Sequence, residues 1–361
     1  MPLSRPEVLK LAARVESALH TFKPDLKGLA VLTEAATGPF LATPILAAAA
    51  GARRVVACTR DSRWGSAADV EAMTRTLANH FGVAERLEIT TKPPTTVAND
   101  IDLVTNLGFV RPICREVVAK LSPHAVIALM WEPWEFRPED IDVQACAEHG
   151  VPIIATNEHH PEVATFQAVG MLALKLLLEQ ACEVAGLTVA VVGSEPFGGA
   201  CQALLTACGA RAPLLDPTLG WPSDEALARL AESDAVVVVE HRTHAEILGP
   251  TTPHVVEALA RRAAPLVHIC GNVDAAYLMA HGLQKHPSHS VQPGFMTVTT
   301  SHVGVKPVVD LHTAGLHAAG LVCKARQRGK RTEEALALAV ASGYGLRLAP
   351  RLRGTGTEAH A

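Results

Sequence analysis

The stretch Leu187–Asp216, LTVAVVGSEPFGGACQALLTACGARAPLLD, limits what this chain can fold into more than any other. It opens on the apolar run Leu187–Val192, short and β-branched enough for a buried parallel strand. Glycines follow at Gly193, Gly198 and Gly199, then a helical pattern from Ala200 to Cys208 that Gly209 closes. A second apolar run, Ala212 to Leu215, ends on Asp216. Strand, glycine turn, helix, strand and acid is the order of a dinucleotide-binding βαβ unit. In such a unit the helix N-terminus faces a pyrophosphate and the acid takes the ribose hydroxyls. Asp216 follows Gly198 at close to the usual spacing of about 20 residues.

The glycine pattern is broken at one place. Against G-x-G-x-x-G, Gly193 and Gly198 hold the first and third positions, and Glu195 holds the middle one. Glycine there lets the backbone approach the pyrophosphate, whereas a carboxylate adds bulk and repels phosphate. Two readings stay open: a site for NAD or NADP, or a nucleotide fold that has lost or rearranged its cofactor.

The 361 residues are enough for two domains, and 48% hydrophobic with 19% charged residues is ordinary for a globular protein. With a net charge of −4 and no long basic run, nucleic acid and anionic membranes are not expected partners. Met1-Pro-Leu-Ser-Arg-Pro6 lacks the charged head and apolar run of a signal peptide, and no apolar stretch approaches a membrane span. The eight cysteines are scattered without a C-x-x-C pair, mostly in apolar runs. They read as buried free thiols in a reducing cytoplasm, with no structural zinc.

Taken in order, Pro2 to Phe22 has apolar residues at helical spacing. Strands are expected at 28–33, 55–59, 87–91, 103–105, 126–130 and 153–155, alternating with helices at 42–50, 67–81, 112–121 and 138–148. One long helix spans 160–185 and leads into the central βαβ stretch. Further strands are expected at 235–239, 266–270 and 296–300, with helices at 255–262, 274–281, 308–327 and 333–341; the tail after Gly345 has no core pattern. Strands alternating with helices give a parallel sheet covered on both faces. The fold class is α/β with two Rossmann-like lobes: a flavodoxin-like substrate lobe over 1–159, completed by 310–361, and a dinucleotide-binding-type lobe over 160–309.

So laid out, the chain resembles the D-isomer-specific 2-hydroxyacid dehydrogenases, the formate and glycerate dehydrogenase group. The best-matching segment is Pro138–Asn157, PEDIDVQACAEHGVPIIATN, which is similar to the family's "DNID…A…GI-V-N-T" run. Val163–Leu178 stands where the family has the helix entering its cofactor domain. Asp234–Glu240 and Ile269–Asp274 stand at its next two cofactor-domain strands, and Thr300-Ser-His302-Val-Gly304 at its "PH-x-A/G" histidine. The resemblance implies an oxidoreductase using NAD, a homodimer, a small-molecule substrate, and three roles. A histidine exchanges a proton with the substrate oxygen, an acid tunes it, and an arginine holds the substrate's carboxylate. The histidine falls on His302, and the cofactor positions on Gly193, Glu195, Gly198 and Asp216. The family's arginine has no match at Ile269-Cys270-Gly271, and no acid lies between Gly282 and Val291 where its glutamate belongs.

Loops at the carboxyl ends of parallel strands are where open α/β sheets bind ligands. Met130–Arg137, MWEPWEFR, places Trp131, Glu132, Trp134, Glu135 and Arg137 in one such loop. These residues form either a cap over the hinge between lobes or a substrate wall, with Glu132 a catalytic candidate. Asn106 and Gly108 precede Arg111, the leading replacement for the missing arginine; otherwise Arg111 is a surface charge ahead of a helix. His159 and His160 are acid–base groups, metal ligands, or polar surface at a helix start. Arg60, Arg63 and Thr37 are further candidate anion binders; Asp310 and His312 begin the returning helix. The sequence thus supports an NAD(P)-dependent oxidoreductase with an atypical substrate between its lobes, or a degenerate dehydrogenase fold with non-redox chemistry or a binding role.

Overall fold

The computed structural model describes residues 5–293 and 295–348. They form two compact units, Met1–Ala164 with Val305–Ala361, and Thr165–Gly304. The strands, in chain order, are β1 Ala30–Glu34, β2 Arg54–Cys58, β3 Leu87–Thr90, β4 Leu103–Thr105, β5 Val126–Leu129, β6 Ile153–Thr156, β7 Val189–Val192, β8 Leu214–Leu215, β9 Ala235–Val239, β10 Glu246–Leu248, β11 Leu266–Cys270, β12 Asn272–Val273, β13 Lys285–His286 and β14 Gly345–Arg347.

In the first unit the sheet order is β14-β6-β5-β4-β1-β2-β3. All pairs are parallel except β14, which runs antiparallel to β6. Successive residues of a strand point to opposite faces. Val31, Val55, Leu103 and Val126 therefore enter one core, and Leu32, Val56, Val104 and Ile127 the other. Burial on both faces explains why these strands read as unbroken apolar runs. The Lys306–Gln327 helix closes the first of these cores with Val309, Leu316, Ala319 and Val322. Each of the larger side chains contributes roughly 1.5–3 kcal/mol by leaving water.

The second unit has a five-stranded parallel sheet, β13-β11-β9-β7-β8, and a small ribbon of β10 with β12. Val189, Val191 and Val237 face one core, Ala190, Val192 and Val236 the other. The Thr165–Glu179 and Phe197–Ala207 helices touch at Gly170, where a Cβ would lie 2.6 Å from the Ala200 carbonyl oxygen. Two parallel α/β lobes are as the sequence led us to expect. Their strand orders, however, are distributed the other way round from the lobe names. The first unit has the 3-2-1-4-5-6 order typical of dinucleotide folds, and the second the 2-1-3-4-5 order of flavodoxin.

Three local expectations are corrected. Met296–Thr300 is not a strand: the chain there is irregular, tied to β11 by Thr297, whose N–H donates to the Ile269 carbonyl at 2.7 Å. The helix expected over 160–185 is confined to Thr165–Glu179, because Ala164 and Ala181 take left-handed backbone, φ 52° and 55°, beyond its two ends. The segment after Gly345 does join the core, as β14 and the buried Leu348; residues 349–361 lie outside those described. Among the described residues no helix is long and apolar enough to cross a membrane.

Candidate functional site

The glycine turn of the second unit is built by close approach. A Cβ on Gly193 would stand 2.7 Å from the Val239 carbonyl oxygen at the end of β9. One on Gly198 would stand 2.4 Å from the Gly193 carbonyl oxygen. Both positions therefore need glycine for backbone packing, as the first and third fingerprint glycines do. Glu195 is exposed, and its carboxylate lies over the first turn of the Phe197–Ala207 helix, where a Cβ on Gly199 would be 2.1 Å from its Oε1. Negative charge is favoured at a helix N-terminus, so the side chain stands where an anion is drawn.

Asp216 follows β8 and caps the turn after it, Oδ1 accepting from Thr218 N at 2.9 Å and Thr218 Oγ1 at 2.7 Å. Beyond β9, the buried Glu240 carboxylate gathers donors on Oε1: Ser194 Oγ at 3.2 Å, Arg242 N at 2.5 Å and Thr243 N at 2.8 Å. His241 stacks on Phe197 at 4.3 Å, and burial pushes its pKa down to about 4. The glycines and Asp216 fit a dinucleotide; the Glu195 carboxylate opposes its phosphates.

His302 is placed elsewhere in this unit. Its Nε2 lies 3.1 Å from Glu179 Oε1, and His286 Nε2 lies 2.9 Å from Glu179 Oε2. The two imidazoles hold the Glu179 carboxyl below its ordinary pKa, His286 contributing more. Glu179 ends a helix whose start packs near the glycine turn, through Phe166 on Phe197 at 5.9 Å. At 1.5 Å per residue, helix length separates the two ends by roughly 20 Å. His286 pairs with Val267 near the start of β11, so the cluster lies at the amino edge of the sheet. The irregular path from Thr297 to His302 carries the histidine there, and its acid partner comes from a helix rather than from Gly282–Val291.

The first unit assembles a different group at the carboxyl ends of its strands. The register Leu32 opposite Val104 sets Glu34 beside Asn106 on one face, and Glu34 pairs with Cys58 on the other side. Glu34 is buried, and its Oε2 accepts from Phe109 N at 2.8 Å. Desolvation raises its pKa, opposed by that N–H and by the charges of Arg111 and Arg60. Gly108 makes room, since a Cβ there would be 3.4 Å from Glu34 Oε2 and 3.8 Å from an Arg111 amine nitrogen. Arg111 pairs with Asp140 at 2.7 Å and lies over the Trp131 ring at 5.2 Å; Arg60 lies over Phe109 at 4.9 Å. Asn106 uses its carbonyl to accept from Met130 N at 2.9 Å. Three donors remain buried and unpartnered: Asn106 Nδ2, Arg111 Nε and Trp131 Nε1.

Beside it, Glu132 accepts from Glu158 N at 3.1 Å and Trp134 Nε1 at 3.0 Å, with His159 Nε2 at 3.8 Å. Glu135 is half-buried; desolvation lifts its pKa to about 7, with Glu132 adding to the rise and a hydrogen bond with Glu158 and the Arg137 charge opposing it. His160 turns away from these acids onto Tyr344, ring centroids 4.4 Å apart. The sequence singled out Asn106, Gly108 and Arg111 in one loop and Trp131 in another; the structure sets Gly108 beside Arg111 and Arg111 over the Trp131 ring. It missed Glu34 as a site residue; the signal was a glutamate ending an otherwise apolar strand. Asp140 and Glu179 carried no local signal, since each is recognised only by what it meets.

No protein-family model matches the chain, and no curated protein does. Among solved structures it is similar to a pyruvate reductase of Chlamydomonas reinhardtii, at 13% identity over 83% of this chain and 97% of that one, TM-score 0.48. A dipicolinate synthase component from Bacillus halodurans is similar at 13% identity over 83% and 98%, TM-score 0.48. The NAD-dependent formate dehydrogenase from Staphylococcus aureus is similar at 12% identity over 83% and 94%, TM-score 0.46.

Proposed function

We propose that the chain is an NAD(P)-dependent oxidoreductase of the 2-hydroxyacid dehydrogenase type, acting on an atypical small substrate. The observation that carries this is the turn of the second unit, where Gly193 and Gly198 are required by backbone contacts and Asp216 follows the next strand. Asp216 has both its protein hydrogen bonds on Oδ1. It favours NAD over NADP, because a carboxylate repels the extra phosphate. The bound dinucleotide supplies hydride chemistry. Asp216 would hold its ribose, and the Gly193–Gly198 backbone would receive its pyrophosphate. On the substrate side we assign Asn106, Gly108, Arg111 and Trp131 of the first unit.

Titration with NADH and NADPH, followed by nucleotide fluorescence, tests the reading. Micromolar NADH binding that weakens at least tenfold in Asp216→Ala is the expected outcome. Absence of binding of either nucleotide at millimolar concentration would overturn it. That result would favour a second reading, supported by the Glu195 carboxylate over the helix N-terminus: a dehydrogenase fold whose own side chain has taken the phosphate position.

A further inference from the structure

In the first unit a cavity of about 250 Å³ opens where the Lys306–Gln327 helix ends, between the turn after the Arg5–Phe22 helix and Leu338 of the Thr332–Ala341 helix. Gly320 lets that turn seat closely, since a Cβ there would lie 2.7 Å from a Leu26 methyl and 3.1 Å from the Asp25 carbonyl oxygen. The apolar lining is Leu321, Ala325 and Leu338, the last 43% exposed. The charged lining is Lys23, Lys324, Arg328 and Lys330 against a single carboxylate, Asp25. Lys324 pairs with Asp25 and holds its carboxyl below the ordinary range, with the Arg328 charge adding to the effect. Burial lowers the pKa of His317, which also lines the cavity, so its imidazole is neutral near pH 7. Among the described residues Lys23, Arg328 and Lys330 form no ion pair. Four cations less one carboxylate leave three uncompensated positive charges, in a chain whose net charge is −4.

The dipole of the Lys306–Gln327 helix accounts for cations in and just past its last turn, as Lys324 and Arg328 are. It does not account for Lys330, farther along the loop, nor for Lys23. That residue follows the Arg5–Phe22 helix in left-handed backbone, φ 47°, a place usually given to glycine because a Cβ is disfavoured there. A cleft lined by one sign of charge concentrates counter-ions. A carboxylate would bring one charge and two oxygens. A phosphate monoester brings about two charges and three terminal oxygens, the better match to three cations. At roughly 30 Å³ for each water-sized group, the cavity takes about eight non-hydrogen atoms.

We propose that this cavity binds a phosphate monoester with a compact apolar body, its phosphoryl oxygens against Lys23, Arg328 and Lys330 and its body against Leu321, Ala325 and Leu338. The ligand is held and not transformed, so no bond forms or breaks. The site shares no residue with those assigned to nucleotide or substrate above.

The test is calorimetric titration of the full chain with phenyl phosphate near neutral pH, with inorganic phosphate and benzoate as comparison ligands. Phenyl phosphate should bind at least about tenfold more tightly than inorganic phosphate, because only it buries a ring. It should also bind more tightly than benzoate. Lys330→Ala should weaken phenyl phosphate roughly fivefold; its side chain is exposed in a loop, so the fold is kept. Leu338→Ser, also at an exposed position, should remove the advantage over inorganic phosphate and leave inorganic phosphate itself unchanged. A loss in Lys330→Ala places the binding in the first unit, because the glycine turn belongs to the second. Absence of phenyl phosphate binding at millimolar concentration, benzoate or inorganic phosphate binding as tightly, or an unaltered affinity in Lys330→Ala or Leu338→Ser would overturn the proposal.

Discussion

The carboxyl edges of the two sheets differ in how their polar groups are satisfied. In the second unit Glu240 Oε1 takes three donors while its buried Oε2 has none, Asp216 caps its own turn, and His241 is stacked on Phe197. In the first unit Glu34 accepts from the Phe109 backbone, and three neighbouring donors have no acceptor within the protein. Two doubly wound sheets therefore put their chemistry at the same place with opposite means. One offers backbone and a helix terminus, suited to a ligand that is gripped along its length; the other offers side-chain donors in a dry place, suited to a small polar group.

The sharpest way to break this contrast is to fill the glycine turn. Gly198→Ala drives a Cβ to 2.4 Å from the Gly193 carbonyl oxygen, which is backbone and cannot swing aside. We expect a loss of roughly 3 kcal/mol in urea unfolding, with nucleotide binding gone. In the first unit, His312 is buried against Thr43 at 2.7 Å, and burial lowers its pKa to about 3. Its folded pKa is depressed below the unfolded one. Stability is therefore fully present above about pH 6.5 and is lost as pH falls from there toward 3. His312→Gln, which does not titrate, should recover roughly 2 kcal/mol of that acid loss in unfolding measured at pH 4 against pH 7.

Smaller effects sharpen the comparison. Glu195→Gly removes the carboxylate from the helix terminus and should tighten NADH about tenfold, or roughly 1.4 kcal/mol, in the same fluorescence titration. An unchanged affinity would show that the side chain does not oppose phosphate. His302→Ala removes one arm of a surface ion pair that is about one-third exposed, worth no more than roughly 1 kcal/mol in thermal unfolding. NADH affinity should be unaffected, because the Glu179 cluster lies at the other edge of the sheet.

Much of this architecture was legible in the chain. Runs such as Val189–Val192 and Ala235–Val239 are apolar on both faces, which only a covered parallel strand requires. The βαβ stretch declared itself through glycines whose need is steric and local. What escaped was non-local. Met296–Val298 has the composition of a strand, yet Met296 and Val298 pack against the core of the second unit without joining a ladder. The acid beside His302 sits more than a hundred residues before it, so scanning the neighbourhood of the histidine could not find Glu179. Strand order also left no mark in the sequence, since each crossover permits either neighbour.

β14 has a consequence for how the protein comes into being. It pairs with β6 although the whole of the second unit lies between them in the chain, and the Lys306–Gln327 helix carries Val309, Leu316 and Val322 into the first core. A ribosome delivers Thr165–Gly304 as one uninterrupted piece, whereas the first unit waits for residues beyond 304 before its core is complete. Domains fold as units while they are synthesised, so the part of the chain made first is the part finished last. During that interval the edge of β6 and an apolar sheet face are open to chaperones and to other nascent chains.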